Sequence, residues 1–166
     1  MDNLRTDWRS KLKKKLILGI GNLLMGDEGI GIHIAKHLQK HVDIPDVDIV
    51  DGGTGGLHLL EYFMKYDPVI IVDAAADGKN PGSITMLKPK YSSDYPPTLA
   101  SHDIGLKDLL EAVALLEKKP EIVLFTISIA EFGQVTLELS SEVRSSIQPA
   151  AEKVLNFLDS HRTKPK

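Results

Sequence analysis

Four consecutive aliphatic residues, Val69-Ile70-Ile71-Val72, stand between Asp67-Pro68 and Asp73. An apolar run this short, with no polar interruption, suits a strand covered on both faces, because a strand with one wet face would alternate. Further strand candidates are Leu16–Gly21, Val47–Asp51, Ser83–Leu87 and Ile122–Ile129. Between these runs lie stretches of helical spacing. Gly29–Val42 carries Ile30, Ile34, Ala35, Leu38 and Val42 on one stripe; Leu57, Leu60, Phe63 and Met64 mark a second helix, stopped by Asp67-Pro68. Leu106, Leu109, Leu110, Val113 and Leu116 mark a third. A last helix is expected from about Ser141 to Leu158, bent or restarted at Pro149, which lacks the N–H a helix interior needs. Tyr91–Ala100 reads as irregular loop.

Strands alternating with helices require right-handed crossovers and therefore a largely parallel sheet. The expected fold class is α/β, with three layers: a mostly parallel twisted sheet of about five strands and helices on both faces. The strand at Ser83–Leu87 is entered through Pro81-Gly82 after a short connection, which points to a hairpin and an antiparallel strand. The 166 residues suit one domain over 1–166. Within it, 1–15 reads as a basic, solvated N-terminal arm, 16–158 as the folded body and 159–166 as a frayed tail.

Charge narrows the partners. Twenty Lys and Arg face 23 Asp and Glu, and the arm alone holds six of the cations and two of the anions. The body from Leu16 onward thus carries 14 cations against 21 anions, a poor surface for phosphate, so no nucleic-acid partner is expected. There is no cysteine, which removes disulfides, thiolate metal sites and cysteine nucleophiles together. No apolar run approaches the roughly 20 residues that span a bilayer, and Leu16-Ile17-Leu18 is too short for a signal peptide. A cytoplasmic protein without a membrane partner is the expectation.

In parallel sheets ligands gather at the carboxyl ends of the strands. Asn22, Asp27 and Glu28 follow the first strand, Asp51-Gly52-Gly53-Thr54 the second and Asp73 the third, while His102 precedes a helix. A dinucleotide site fails on detail. Gly19-x-Gly21 is not completed at Leu24, and Asp27 and Glu28 would repel a pyrophosphate at the helix N-terminus. Asp27 has a simpler role in capping free helix N–H groups, and Asp51 in tying down the glycine turn after it. Asp73 is harder to explain structurally, since an idle charge at the end of a buried strand costs desolvation energy. Glu28, Asp73 and His102 together make an O,O,N donor set of the kind that suits nickel, zinc or manganese. His33, His37 and His41 form a stripe at i, i+4, i+8 that reads as a helix edge. His58 and His161 read as surface residues, and no G-x-S-x-G elbow supports Ser101 or any other serine as nucleophile.

Taken in order, the motifs resemble the hydrogenase maturation proteases, endopeptidases that trim the large subunit of nickel–iron hydrogenases. They are Gly19-Ile20-Gly21-Asn22, Asp27-Glu28-Gly29-Ile30-Gly31, Asp51-Gly52-Gly53-Thr54, Val72-Asp73-Ala74, Pro81-Gly82, Ser101-His102 with Gly105-Leu106, and Leu139-Ser140-Ser141-Glu142-Val143 with the helix containing Pro149. The similarity spans roughly Leu16 to Leu158. It implies that Glu28, Asp73 and His102 contact the metal and carry catalysis, with Asn22, Asp27, Asp51, Gly52, Gly53 and Thr54 in support. It implies a large-subunit precursor already loaded with nickel as substrate, the nickel arriving with that precursor and zinc or cadmium able to substitute in vitro. The chain departs from the family pattern at Thr126–Ala130 and Glu131–Val135, a stretch that borders the partner groove. Two rivals stand beside this reading: a non-catalytic nickel-checking chaperone of the same precursor, and a peptidyl-tRNA hydrolase. The latter shares Gly-x-Gly-Asn after its first strand but needs a downstream histidine-asparagine motif and a basic RNA face.

Overall fold

The computed structural model describes residues 13–97, 99 and 104–162. Five strands, β1 (Lys15–Gly19), β2 (Val47–Asp51), β3 (Val69–Ala75), β4 (Ile84–Leu87) and β5 (Ile122–Ser128), form one sheet in the order β2-β1-β3-β5-β4. β1 pairs in parallel with β2 and β3, and β3 in parallel with β5. Five helices join them: α1 (Ile30–His41), α2 (Leu60–Lys65), α3 (Ile104–Ala114), α4 (Ser141–Arg144) and α5 (Ile147–Arg162).

Why the central runs look unrelieved is visible in the packing. Along β3, Ile70, Val72 and Ala74 join a core cluster with residues of α1 and α5, while Val69 and Ile71 join another with residues of α2 and α3. The same alternation holds in β1, where Ile17 faces one layer and Leu16 and Leu18 the other. Both faces are dry, so both parities must be apolar. This is the expected three-layer α/β fold.

Four expectations need correction. β4 is antiparallel, as expected, but it pairs with β5 and not with β3, so β3 and β4 make no hairpin. The short chain between them crosses an intervening strand added later in the sequence, which local spacing cannot reveal. The basic arm is docked at its end: Lys13 Nζ donates to the Met64 carbonyl at 3.0 Å, Lys14 meets Asp48 at 3.4 Å and Lys15 opens β1. The tail is not frayed from residue 159, since α5 continues to Arg162. His161 stacks on Phe157 with centroids 4.4 Å apart and meets Glu121 at 3.0 Å. The Tyr91–Ala100 loop contains a 3₁₀ turn at Ser92–Asp94 and a bridge from Leu99 to Ala75 at the end of β3.

The last helix is restarted, with the break at Ser145-Ser146, ahead of Pro149. Pro149 then falls in the first turn of α5, where its missing N–H has no helical partner to lose. No helix among the described residues is long and apolar enough to cross a membrane.

Candidate functional site

The connections after β1, β2 and β3 are laced together at the carboxyl rim of the sheet. Ile20 N–H donates to Val72 C=O at 2.9 Å, Gly52 N–H to Gly19 C=O at 2.8 Å and Gly21 N–H to Gly53 C=O at 2.9 Å. Gly31, near the start of α1, lies so close to the strands that a Cβ there would sit 2.2 Å from the carbonyl oxygens of both Ile20 and Val72. This approach presses the 3₁₀ turn Gly26–Gly29 against β3, with Glu28 in it.

Glu28 is 9% exposed, and its Oε2 accepts the Gly133 N–H at 2.8 Å. Asp73 is 0% exposed; its Oδ1 accepts the Ala74 N–H at 2.7 Å, and it stands in register with the buried Thr126 of β5. Asp73 has the parity of Val69 and Ile71, which places it on the face covered by α2 and α3. Two carboxylates buried at one rim are costly unless hydrogen-bonded or given a cation, which is why such groups mark functional sites.

The supporting residues divide by what they touch. Asn22 Oδ1 accepts the Leu24 N–H at 3.0 Å, and its own N–H donates to the Glu28 carbonyl at 3.2 Å, closing the loop that carries Glu28. Asp27 does not cap α1 as expected. Its two oxygens accept the Ser140 N–H at 2.7 Å and the Ser140 hydroxyl at 2.8 Å, just ahead of α4. Asp51 does tie the turn after β2, accepting the Gly53 N–H at 2.9 Å, with Lys36 at 3.7 Å. Gly53 needs its glycine for φ +56°, while a Cβ on Gly52 would meet the movable tips of Ile20 and Leu18 at 2.7 and 2.9 Å. Thr54 is exposed beside them.

Glu28 and Asp73 are thus brought to one rim, whereas His102 and Ser101 lie outside the described residues. Among the described residues no three His, Asp or Glu side chains are grouped to hold a metal. The histidine stripe of α1 lies on a partly exposed helix edge, where His41 Nδ1 contacts the His37 carbonyl at 2.7 Å and the two rings lie 4.3 Å apart. His33 is held below its ordinary pKa by burial first, then by Lys36 and Arg144. Gly133 and Ser140 are contacts of the acidic residues that the sequence placed in segments of interest, without showing which side chains they meet. They reach Glu28 and Asp27 across 105 and 113 residues, a separation that carries no periodic signal.

A covered, mainly parallel sheet with two buried carboxylates at the carboxyl ends of its strands is the layout of an α/β enzyme working at its sheet rim. The sequence model for hydrogenase maturation protease matches residues 32–157. The Hydrogenase 2 maturation protease of Escherichia coli K12 is 35% identical over 146 residues, covering 86% of this chain and 89% of that protein. Among solved structures, the hydrogenase maturating endopeptidase HybD from E. coli superposes with a TM-score of 0.78 at 32% identity, over 89% of this chain and 93% of that one. The [NiFe] hydrogenase maturation protease HybD from Thermococcus kodakarensis gives 0.71 at 25% identity, over 87% and 98%. The chain belongs to the hydrogenase maturation protease family, and is a hydrolase of the endopeptidase class.

Proposed function

We propose that this protein removes a C-terminal peptide from the nickel-loaded large-subunit precursor of a nickel–iron hydrogenase, in the cytoplasm, and that Glu28, Asp73 and His102 meet the nickel that the precursor presents. The observation that carries this reading is Asp73, a fully buried carboxylate at the mouth of the central strand, at the same rim as the buried Glu28. The neighbours of His102 support its inclusion. Leu99 bridges to Ala75, two residues beyond Asp73, and Leu106 of α3 packs where a Cβ on Gly55, after β2, would meet it at 3.3 Å. Leu99 and Leu106, which bracket His102 in the sequence, are thus both close to the ends of strands that carry the acidic residues.

Two carboxylates and an imidazole fit a borderline divalent ion, which explains why zinc or cadmium should replace nickel in vitro. An ion in that position supplies Lewis acidity toward the scissile carbonyl and lowers the pKa of bound water to about 7. The protein's own residues do the rest. Glu28 is aimed by Gly133 N–H, and Asp73 is oriented by Ala74 N–H. Asn22, Asp27 and Asp51 act as positioning residues, because each has a carbonyl or carboxylate oxygen committed to a backbone N–H of its surroundings. Requiring a cation to bridge enzyme and substrate also rejects unloaded precursor, which brings no ion for the two proteins to share.

Precursor processing followed by mass spectrometry tests the assignment. Wild-type protein should shorten nickel-loaded precursor and leave metal-free precursor intact. Asp73→Ala and His102→Ala should each slow the reaction by about 100-fold or more. Processing by both variants at the wild-type rate would overturn the site. Binding without any change of precursor mass would instead identify a non-catalytic chaperone.

A further inference from the structure

Beside the loop that carries Glu28 lies a ledge whose apolar side chains have no cover. The segment around Thr136 runs parallel to Met25: Thr136 N–H donates to Leu24 C=O at 3.1 Å, and Gly26 N–H donates to Thr136 C=O at 2.7 Å. The bridge joins Met25 to Thr136, so Leu24 stands next to it in one segment and Val135 and Leu137 flank it in the other. Leu24 is 63% exposed, Val135 84% and Leu137 70%. The large apolar side chains exposed among the described residues number eight, and three of them lie within one residue of this bridge. Isolated exposed apolar residues need no explanation, but a cluster does.

The ledge is tied to the site at both ends. Gly133 N–H holds Glu28 Oε2 on one side of it, and Ser140 holds both oxygens of Asp27 on the other. Because both lateral bonds of Thr136 go to the Leu24–Gly26 side, the peptide groups of Val135 face the open side. An apolar surface next to an outward-facing backbone edge is what an extended polypeptide recognises: main-chain groups pair along the edge and alternate side chains lie on the ledge. Its continuity with Glu28 limits the occupant further, since a chain lying there enters the candidate site within a few residues.

We propose that Leu24, Val135 and Leu137 form the docking ledge for an extended, apolar segment of the precursor next to its scissile bond, paired along Val135. This rests on the precursor-processing reading above and adds where the substrate chain lies. It also assigns a role in substrate choice to Val135, within the Glu131–Val135 stretch where the sequence departs from the family pattern, and to Leu137 just beyond it.

Steady-state processing of nickel-loaded precursor tests the ledge. Replacing Leu24, Val135 and Leu137 together by Ser should raise KM about tenfold while kcat stays within about twofold, the mark of lost docking with intact chemistry. Leu115→Ser, at another exposed apolar position, should change neither. A second measurement leaves the enzyme untouched: precursor whose apolar residues flanking the scissile bond are changed to Ser should show the same rise in KM with wild-type protein. An unchanged KM in either experiment overturns the ledge. So does a triple variant that loses self-association in sedimentation while its KM is unaltered, since the ledge would then be an interface between copies of this chain. Failure of wild-type protein to shorten any precursor would sink the processing reading itself, a result separable from the others.

Discussion

Single atoms decide the behaviour of Gly31. Helix propensity favours Ala over Gly by about 1 kcal/mol, so on local grounds Gly31→Ala should stabilise α1. The structure reverses the sign, because the new Cβ would be 2.2 Å from the Ile20 and Val72 oxygens, both of them backbone and the latter a hydrogen-bond acceptor for Ile20 N–H. Moving them breaks the lacing at the rim. Gly31→Ala is expected to cost about 3 kcal/mol, read as a lower urea midpoint with an unchanged slope. A raised midpoint would mean that the close approach is wrong. Ser140→Ala is a milder case. It removes one of two bonds to Asp27 and leaves the backbone N–H in place, so about 1–2 kcal/mol of stability should go. Because that pair ties residues 131–140 to the Glu28 loop, processing should lose more in KM than in kcat.

At the scale of elements, β3 and β5 were legible because burial on both faces leaves a strand no room for polar residues, and Val69–Val72 and Ile122–Phe125 have none. The helices were legible from their apolar stripes. The sheet order was not, since a short connection from β3 to β4 fits either neighbour and only packing places β5 between them. Of the candidate site, Glu28, Asp73 and the Asp51 turn could be read because each follows a recognisable strand. The contacts of Gly133 and Ser140 could not, as the segment has no periodicity and its grip on Asp27 and Glu28 is purely tertiary. The end of α5 is a further miss: the charged sequence after Leu158 suggests fraying, yet His161 has a ring and a carboxylate to meet. That difference is measurable. His161→Ala should cost about 0.5–1 kcal/mol in denaturant unfolding, modest because the Glu121 pair is partly solvated. A frayed tail would give no change.

For the molecule as a whole, the distribution of perturbed groups fixes how stability should vary with pH. Asp77, Asp94, Glu121 and Glu142 all sit below their ordinary values of 3.8 and 4.5. For Asp77 and Glu121 burial alone would raise the pKa, but Ser128 and Lys79 outweigh it at the first, and His161 and Lys88 at the second. Backbone N–H groups are the main cause at Asp94 and Glu142. A carboxyl that is more acidic when folded binds protons more readily in the unfolded chain. Its contribution is therefore complete above the ordinary value and is lost as pH falls through the folded one. His33, lowered from 6.5 by burial and then by Lys36 and Arg144, has the same sign in a higher window: its contribution is present above 6.5 and fades below it. Tyr66 has the opposite sign. Its hydrogen bond to Asp48 raises it from 10.0 to about 12, so its contribution holds below 10.0 and is lost as pH rises toward 12. Urea midpoints across this range should show a plateau between His33 and Tyr66, a shallow step below 6.5, and a steeper fall below 4.5 where four carboxyls titrate together. His33→Gln should remove the shallow step and leave the steep one, while Glu121→Gln should soften only the steep one. If the midpoint rose between pH 6.5 and 5, the partly buried, neutral His33 of the folded state would be contradicted.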